Sequence, residues 1–261
     1  MCLLALAWLA DPDFPLVIAA NRDEAHQRPS TPLQEWPDAP GVYGGRDLLE
    51  GGSWMALAES GRLAAVTNVR EPLPATQPRS RGQLVREFLL GDSDANSSAL
   101  QAVERGDGYR PFNLLLWDGR ALAHATNRPR PARRLLESGV HGVSNGSLDA
   151  PWPKVRWAVD GMQRWIGTLT AGNTQPDVEP LFTVLASEQR APFGKLPDTG
   201  VDLQTEHRLS APFIRGEIYG TRTSTVVLVH RTGVATLIER SFGVDGASTD
   251  ERRLTVRLRR V

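Results

Sequence analysis

Apolar runs separated by short turn sequences are the main pattern of this chain. Four pairs of such runs flank turns rich in Gly, Pro or Asp, and they cover residues 3–10 and 16–20, 54–58 and 63–67, 113–117 and 121–126, and 223–230 and 234–239. Apolar runs joined by turn residues of this kind are typical of β-hairpins. The runs near Leu3, Asn113 and Thr225 are apolar at consecutive positions, so both faces of these strands are expected to be covered.

Segments with helical periodicity lie between the hairpins. The strongest is an apolar stripe made of Trp152, Val155, Val159, Met162 and Ile166, which predicts a helix capped by Ser147 or Asp149. Residues 82–90, 95–105 and 178–187 predict further helices, whereas the Pro- and Gly-rich stretches 27–52 and 191–216 are expected to be long functional loops. The alternation predicts an α+β fold with two packed, mainly antiparallel sheets and helices outside them.

Composition narrows the class of protein. The chain has 261 residues, 40% of them hydrophobic, which suits one globular domain over residues 1–261. Thirty basic and thirty acidic side chains balance to a net charge of +0, which gives no general attraction to nucleic acid. Neither a membrane span nor a metal-ligand spacing is recognisable, and the apolar start lacks the basic residues of a signal peptide. We therefore expect a cytoplasmic protein without a metal or cofactor.

Cys2 is the single cysteine, and it follows the initiator methionine. Loss of Met1 would place its thiol on the residue that carries the α-amine, and that amine titrates near neutrality. An N-terminal Cys or Thr can supply nucleophile and base together. The alternative is a small buried residue that starts a strand.

The run Asn21-Arg22-Asp23-Glu24 follows the second apolar strand directly. If the first two strands form a hairpin, the run lies beside Cys2. There a carboxylate could orient the ammonium, and the arginine could hold a carbonyl or thiolate. The ammonium and Arg22 also predict a thiol of low pKa at Cys2. An ordinary solvated strand end is the alternative.

Asn68 and Asn145 each end a strand-like run, where a side-chain amide can donate to a developing oxyanion. Turn formation is the common alternative for such residues. The polar segment 220–225 leads into an apolar strand. Trp54 is expected near Asn68 through hairpin pairing, either as a wall of the site or as a core residue.

The motifs together resemble the NRDE family, whose eukaryotic members are called transport and Golgi organization protein 2. They occur in order along the chain: Met1-Cys2, Asn21-Arg22-Asp23-Glu24, Arg28-Pro29, Gly44-Gly45-Arg46-Asp47, Gly51-Gly52-Ser53-Trp54, Thr67-Asn68, Ser80-Arg81-Gly82, Ser144-Asn145 and Tyr219-Gly220-Thr221-Arg222. The resemblance implies the four-layer αββα sandwich of N-terminal-nucleophile hydrolases, to which bile-salt hydrolases and penicillin V acylases belong.

The resemblance also implies roles for individual residues. Cys2 matches the nucleophile and Asp23 the carboxylate that orients the amine, while Arg22 lies beside them. Asn68 and Asn145 match the oxyanion- and amine-binding asparagines, and Arg222 matches a later arginine of the site. The acylases place their first arginine three residues before the aspartate, where this chain has Ala20.

Two functions follow as hypotheses. The first is a hydrolase that cleaves a linear amide or a thioester through Cys2. The second is a carrier that binds haem or an acyl-CoA in the same pocket without turnover, with arginines pairing a propionate or phosphate. Residues expected to contact the small-molecule ligand are Asn21, Glu24, Arg46, Trp54, Thr67 and Ser144. The sequence does not predict an oligomeric state.

Overall fold

The computed structural model describes residues 2–71 and 79–259. They divide into two compact units. Unit 1 comprises Met1–Gln27 and Ser138–Thr255, and unit 2 comprises Arg28–Glu137 and Val256–Val261. The single domain over residues 1–261 stays a prediction.

Unit 1 is built on a six-stranded sheet with the order β10-β1-β2-β11-β12-β13. Its strands are β1 (Cys2–Trp8), β2 (Leu16–Ala25), β10 (Gly139–Val143), β11 (Tyr219–His230), β12 (Val234–Phe242) and β13 (Ser248–Arg257). Antiparallel pairing joins β1 to both β2 and β10, and β11 to both β2 and β12. The first strand of the chain is therefore an interior strand of this sheet.

Helices cover one face of the unit 1 sheet. They are α3 (Pro153–Ile166) and α4 (Glu179–Leu185), and the short α5 (Leu203–Arg208) follows later in the chain. Residues Leu3, Val17 and Val226 of the strands pack with Met162 and Trp165 of α3 in one buried cluster. The apolar stripe found in the sequence is thus the face of α3 that meets the sheet.

Unit 2 contains a seven-stranded antiparallel sheet whose strands follow one another in chain order. They are β3 (Ser30–Trp36), β4 (Ala39–Asp47), β5 (Met55–Ala58), β6 (Arg62–Asn68), β7 (Phe112–Trp117), β8 (Leu122–Thr126) and β9 (Ala132–Leu135). Helices α1 (Gly82–Leu90) and α2 (Ala95–Glu104) lie on this sheet. A buried cluster containing Trp36, Phe88 and Phe112 joins helices to strands.

The four hairpins expected from the apolar runs are confirmed as the pairs β1–β2, β5–β6, β7–β8 and β11–β12. The predicted helices over 82–90, 95–105, 152–166 and 178–187 are also present with small shifts at their ends. The α+β class with two mainly antiparallel sheets is confirmed.

The prediction of a long loop over 27–52 is wrong, because β3 and β4 form a hairpin there. The glycines that suggested a loop serve close strand approach. A Cβ on Gly44 would lie 2.6 Å from the Ala56 side chain across the β4–β5 pair. Glycine in a strand interior marks such a close approach as readily as it marks a turn.

The predicted cap of α3 is also wrong. Neither Ser147 nor Asp149 caps the helix, which starts with Pro153 in its first turn after Trp152. Asp149 instead accepts a hydrogen bond from the backbone N–H of Gly142 at 2.9 Å and contacts His141. Proline fits the first helical turn, where no backbone N–H is needed.

Across residues 2–71 and 79–259, none of the helices is both long enough and apolar enough to cross a membrane.

Candidate functional site

Cys2 begins β1 and pairs directly with Arg22 of β2. Directly opposite residues of an antiparallel pair place their side chains on the same face. Cys2 is partly exposed, while Arg22 is 5% exposed. The predicted hairpin therefore brings the thiol and the guanidinium to one face of the sheet.

The backbone of Cys2 is held by β10 on its other side. Ser144, directly after β10, donates its hydroxyl to the carbonyl oxygen of Cys2 at 2.8 Å. The same hydroxyl lies 3.3 Å from Oδ1 of Asn145, which is buried. Ser144 and Asn145 are thus brought to the start of β1, as the candidate site requires.

Asp23 lies on the opposite face from Cys2 and Arg22. Asp23 lies an even number of residues after Val17 and Ala19, so its side chain points to the same face of the strand as theirs. Both Val17 and Ala19 pack in the helix-covered core. Its side chain is buried and accepts a hydrogen bond from the hydroxyl of Thr221 at 2.7 Å. Two adjacent residues of β2 therefore present an arginine and a carboxylate to different faces.

A β-bulge in β11 sets this contact. Thr221 pairs with Asp23 while Thr223 pairs with Arg22, so Arg222 is the extra residue of β11. The Thr221 hydroxyl also accepts the backbone N–H of Ile214 at 2.9 Å. Thr221 was not singled out from the sequence as a partner of Asp23, because a bulge leaves no clear sequence signal.

Burial raises the pKa of the Asp23 carboxyl above its usual value. The chain's terminal ammonium, Lys154, the Thr221 hydrogen bond and Arg22 all act in the opposite direction. Lys154 lies in the first turn of α3, is 2% exposed, and donates to the carbonyl of Leu209 at 3.0 Å. Lys154 could not be identified from the sequence, since a single lysine among helical residues carries no signal of burial.

The expectation of a low-pKa thiol at Cys2 is contradicted for the chain that carries Met1. Burial is the largest influence and raises the pKa of the thiol, and the Asp23 charge adds to it. The terminal ammonium, Arg22 and the backbone N–H of Asp23 lower the pKa by less. The thiol is thus protonated at neutral pH unless another group takes its proton.

Asn21 and Glu24 lie at the same end of β2. The buried Asn21 amide donates to the carbonyls of Leu185 and Pro212 at 2.8 and 2.9 Å, and it accepts the Ser224 hydroxyl at 2.6 Å. These bonds give Asn21 a structural task, and its contact with a ligand stays a prediction. The Glu24 carboxylate accepts the backbone N–H of Ala25 at 2.9 Å and is half-buried.

Arg222 contributes its guanidinium to the backbone. It donates to the carbonyls of Ala25 and His26, both at 3.1 Å. These bonds tie the bulge of β11 to the end of β2, the strand that carries Arg22 and Asp23. The structure thus places Arg222 beside the candidate site residues of unit 1.

The remaining candidate residues belong to unit 2. Arg46 of β4 pairs with Asp38 at 2.5 Å, donates to the carbonyl of Gly51 at 2.9 Å, and lies over the Trp36 ring. Trp54 is half-buried and packs on Gly45, where a Cβ would lie 2.2 Å from the indole. Both side chains are held by residues of the β3–β5 region.

Trp54 lies beside Val66, whose backbone N–H it accepts at 2.8 Å, two residues before Asn68. Thr67 is buried and accepts the Asn113 amide at 3.4 Å. Asn68 ends β6 opposite Phe112 and is half-buried. The expected proximity of Trp54 to the end of β6 is therefore confirmed within unit 2.

In the part of the chain that the structure describes, no group of three or more His, Cys, Asp or Glu side chains is placed to hold a metal ion.

Comparison with known sequences identifies the family. The model of the family described as "Transport and Golgi organisation 2" matches residues 1–243. The chain belongs to this family. The bovine Transport and Golgi organization protein 2 homolog is 33% identical over 247 residues, which cover 88% of this chain and 87% of the bovine protein.

Two solved structures are similar in fold. A Caenorhabditis elegans N-acylethanolamine-hydrolyzing acid amidase ortholog aligns with a TM-score of 0.48 and 12% identity, covering 87% of this chain and 92% of that one. A mutant conjugated bile acid hydrolase from Clostridium perfringens aligns with a TM-score of 0.46 and 11% identity, covering 97% and 92%.

Proposed function

We propose that this protein is an N-terminal cysteine hydrolase that cleaves a linear amide or a thioester. The observation that supports the proposal most directly is the start of β1. There the strand register sets Cys2 opposite Arg22. The next residue of β2, Asp23, carries a buried carboxyl.

The first half of the reaction forms an acyl-enzyme. Removal of Met1 leaves a free α-amine on Cys2, and this amine takes the thiol proton. The thiolate attacks the carbonyl carbon, and the bond to nitrogen or sulfur breaks. The α-ammonium returns its proton to the leaving amine or thiol, and the acyl group remains on Cys2 as a thioester.

The second half consumes one water. The α-amine takes a proton from the water as its oxygen attacks the thioester carbonyl. The bond to Sγ then breaks, the sulfur regains a proton, and a carboxylic acid leaves. The cycle requires no cofactor, because the residue at the start of β1 supplies both nucleophile and base.

Neighbouring groups are assigned supporting roles. Asp23 is proposed to hold the α-ammonium by its charge, and Arg22 to stabilise the thiolate on the shared face. Ser144 fixes the Cys2 carbonyl and thereby the direction of the amine. Asn145 is a proposed oxyanion or amine donor, with Arg222 supporting the end of β2.

The test combines intact-mass analysis with a panel of N-acyl amides and acyl thioesters. We expect loss of Met1 and measurable turnover, and Cys2→Ala should lower turnover by at least about a thousandfold, as removal of a nucleophile does in other covalent enzymes. The matched control inserts a lysine between Met1 and Cys2, so that the thiol stays while its own nitrogen becomes an amide. That variant should also be inactive.

Turnover by the lysine-insertion variant would contradict the role of the α-amine, and full turnover by Cys2→Ala would contradict the whole proposal. A protein that lacks turnover with every probe and co-purifies with haem or an acyl-CoA would instead be the carrier considered from the sequence.

A further inference from the structure

Unit 2 contains a cavity with a volume of about 330 Å³. Its lining comes from α1, α2, the turn that joins these helices, and strands β6 and β7. The reaction proposed above uses none of the lining residues. Pockets that hold small molecules have volumes of about 300–1,000 Å³, so this cavity has the size of a site for a small ligand.

The floor of the cavity is apolar. Leu84 and Phe88 of α1 and Leu114 and Leu116 of β7 line it, and each of these side chains is at most 4% exposed. All four belong to the buried helix–sheet cluster of unit 2. Because packing against the sheet fixes these side chains, the floor exists before any ligand arrives.

Arg62 places a guanidinium at this apolar floor. The residue is 8% exposed, and its Cζ lies 3.9 Å from the centroid of the Phe88 ring. Nε donates to the carbonyl of Phe88 at 2.9 Å, and Nη2 donates to the carbonyl of Ser93 at 2.7 Å. The third nitrogen, Nη1, makes no hydrogen bond within the described part of the chain, and it is not one of the unpartnered atoms that are shielded from solvent. Nη1 is therefore the accessible donor of this side chain.

The charge of Arg62 has no direct partner. Among residues 2–71 and 79–259 no carboxylate forms an ion pair with it. Burial lowers the pKa of the guanidinium, while the more distant charges of Asp118, Asp92 and Asp94 raise the pKa. A buried charge is unfavourable unless a group of opposite charge pairs with it, so a bound anion would relieve this cost.

The single carboxylate of the lining is already engaged. Glu87 pairs with Arg105 at 3.0 Å and accepts the hydroxyl of Tyr109 at 3.0 Å. The charged residues of the lining are Arg62, Arg105 and Glu87, which leaves an excess of one positive charge. A ligand with one negative charge would therefore neutralise the cavity.

We propose that this cavity binds a small apolar carboxylic acid in its ionised form. The carboxylate accepts hydrogen bonds from Nη1 of Arg62, and the apolar body lies on the floor formed by α1 and β7. A guanidinium binds a carboxylate through charge-assisted hydrogen bonds, which are stronger than those between neutral groups. The buried leucines and Phe88 exclude water from the apolar part of the ligand.

The experiment measures binding to the full chain by calorimetry with octanoate, octanamide and acetate. Octanoate should bind saturably and at least about tenfold more tightly than octanamide, which has the same apolar body without the charge. Acetate lacks the apolar body and should show no saturable binding. Absence of saturable octanoate binding, or equal affinity for octanoate and octanamide, overturns the proposal. Because this comparison needs no variant, it decides the proposal even where a substitution unfolds the protein.

A series of acids tests the apolar floor. From butanoate to octanoate, each added methylene should tighten binding by about fourfold, as the burial of one methylene does. An affinity that does not depend on chain length would mean that the apolar body stays in water, and it would contradict the site.

Two residues of α2 give a matched pair of variants that locates the ligand. Ser98 lines the cavity, whereas Leu100 is 39% exposed and lies outside the lining. Ser98→Phe puts a ring into the cavity and should weaken octanoate binding at least about tenfold. Leu100→Phe should change it by less than about twofold. Unchanged binding to a folded Ser98→Phe variant would place the ligand elsewhere and overturn the proposal.

The role of the Arg62 charge is tested with a second pair. Arg62→Met should lower the affinity for octanoate to that for octanamide, a loss of at least about tenfold. Arg86→Met removes a guanidinium of α1 that lies outside the lining and pairs with Asp38 at 3.2 Å, and it should change binding by less than about twofold. Equal weakening by both variants would reduce the effect to general charge and contradict the site.

Cys2→Ala separates this site from the proposed hydrolysis. The variant should bind octanoate as the wild type does, whether or not the protein proves to be a hydrolase. Loss of octanoate binding in Cys2→Ala would assign the acid to the start of β1 and overturn the proposal.

Discussion

Units 1 and 2 share one plan, a sheet with helices on a face, but they use buried polar groups differently. In unit 2 the buried Arg62 lies over the Phe88 ring and donates to the carbonyls of Phe88 and Ser93 at 2.9 and 2.7 Å. Its guanidinium thereby ties β6 to α1 and to the segment that precedes α2.

In unit 1 three ionisable side chains, Arg22, Asp23 and Lys154, are buried near the start of β1. Here burial raises the pKa of the Asp23 carboxyl, which means that the folded state disfavours its charge. Carboxyls with a perturbed pKa are common where a protein performs chemistry. The buried charge of Arg62 thus serves packing in unit 2, whereas the buried carboxyl of Asp23 belongs to the reaction proposed for unit 1.

The largest stability effect is expected in unit 2, at Gly45. A Cβ there would lie 2.2 Å from the indole of Trp54 and 3.0 Å from the carbonyl of Thr31. Gly45→Ala should therefore lower the free energy of unfolding by about 1–3 kcal/mol, as overpacking does. Denaturant unfolding measures this loss.

Gly108→Ala is the matched control in the same unit, because a Cβ there meets only the Arg79 side chain, at 3.5 Å. It should change stability by less than about 1 kcal/mol. Adding Trp54→Ala to Gly45→Ala should relieve the crowding and show a coupling between the two positions. Additive effects would mean that Trp54 does not pack as described.

Asp23→Asn should separate chemistry from stability in unit 1. Turnover should fall at least about tenfold, or about 1.4 kcal/mol of transition-state stabilisation. Because the folded pKa of Asp23 is raised, the wild-type carboxyl contributes stability below its usual value of 3.8, and this is lost as the pH rises through the folded value. From pH 4 upwards, the melting temperature of the variant should therefore rise relative to that of the wild type.

Asp13→Asn is the matched comparison, because the pKa of Asp13 is shifted in the opposite direction to that of Asp23. Hydrogen bonds from Gly172 and Arg231 lower the pKa of Asp13. The Asp13 carboxyl therefore contributes stability at pH values above its usual pKa, and this stability is lost as the pH falls through its pKa in the folded protein. Melting curves of the two variants between pH 3 and 7 should thus diverge in opposite directions. Curves that move in parallel would refute the assignment of raised and lowered pKa values.

The smallest effect concerns the reactivity of Cys2 while Met1 is retained. Since burial raises the pKa of the thiol, iodoacetamide should label the folded lysine-insertion variant at least about threefold more slowly at pH 7 than its urea-unfolded form. The pH at which the labelling rate reaches half of its maximum should be higher for the folded protein than for the unfolded chain. Faster labelling of the folded protein would restore the low-pKa thiol expected from the sequence.

The fold could be predicted from sequence where one local signal decides. Asp118-Gly119 and Arg231-Thr232-Gly233 mark real hairpin turns, and the stripe through Met162 marks the buried face of α3. At Gly44 the sequence suggests a loop, but the glycine permits a close approach between two strands. Glycine serves both purposes, and only the tertiary structure shows which of them applies.

The site could be predicted as far as strand pairing reaches. The position of Cys2 beside the Asn21–Glu24 run follows from one hairpin, and the register confirms it. The division of Arg22 and Asp23 between faces also follows from strand periodicity. The Thr221 contact does not, because it depends on the bulge at Arg222, and the burial of Lys154 depends on how α3 packs.

The interior position of β1 also has a consequence for biosynthesis. Ser144, which holds the Cys2 carbonyl, lies 142 residues later in the chain. At a translation rate of about 5–20 residues per second, Ser144 is synthesised roughly 7 to 28 seconds after Cys2. During this interval β10 has not yet paired with β1, and an aminopeptidase can act on the N-terminus of the nascent chain. The processing that the proposed chemistry requires therefore has an early opportunity, before synthesis is complete.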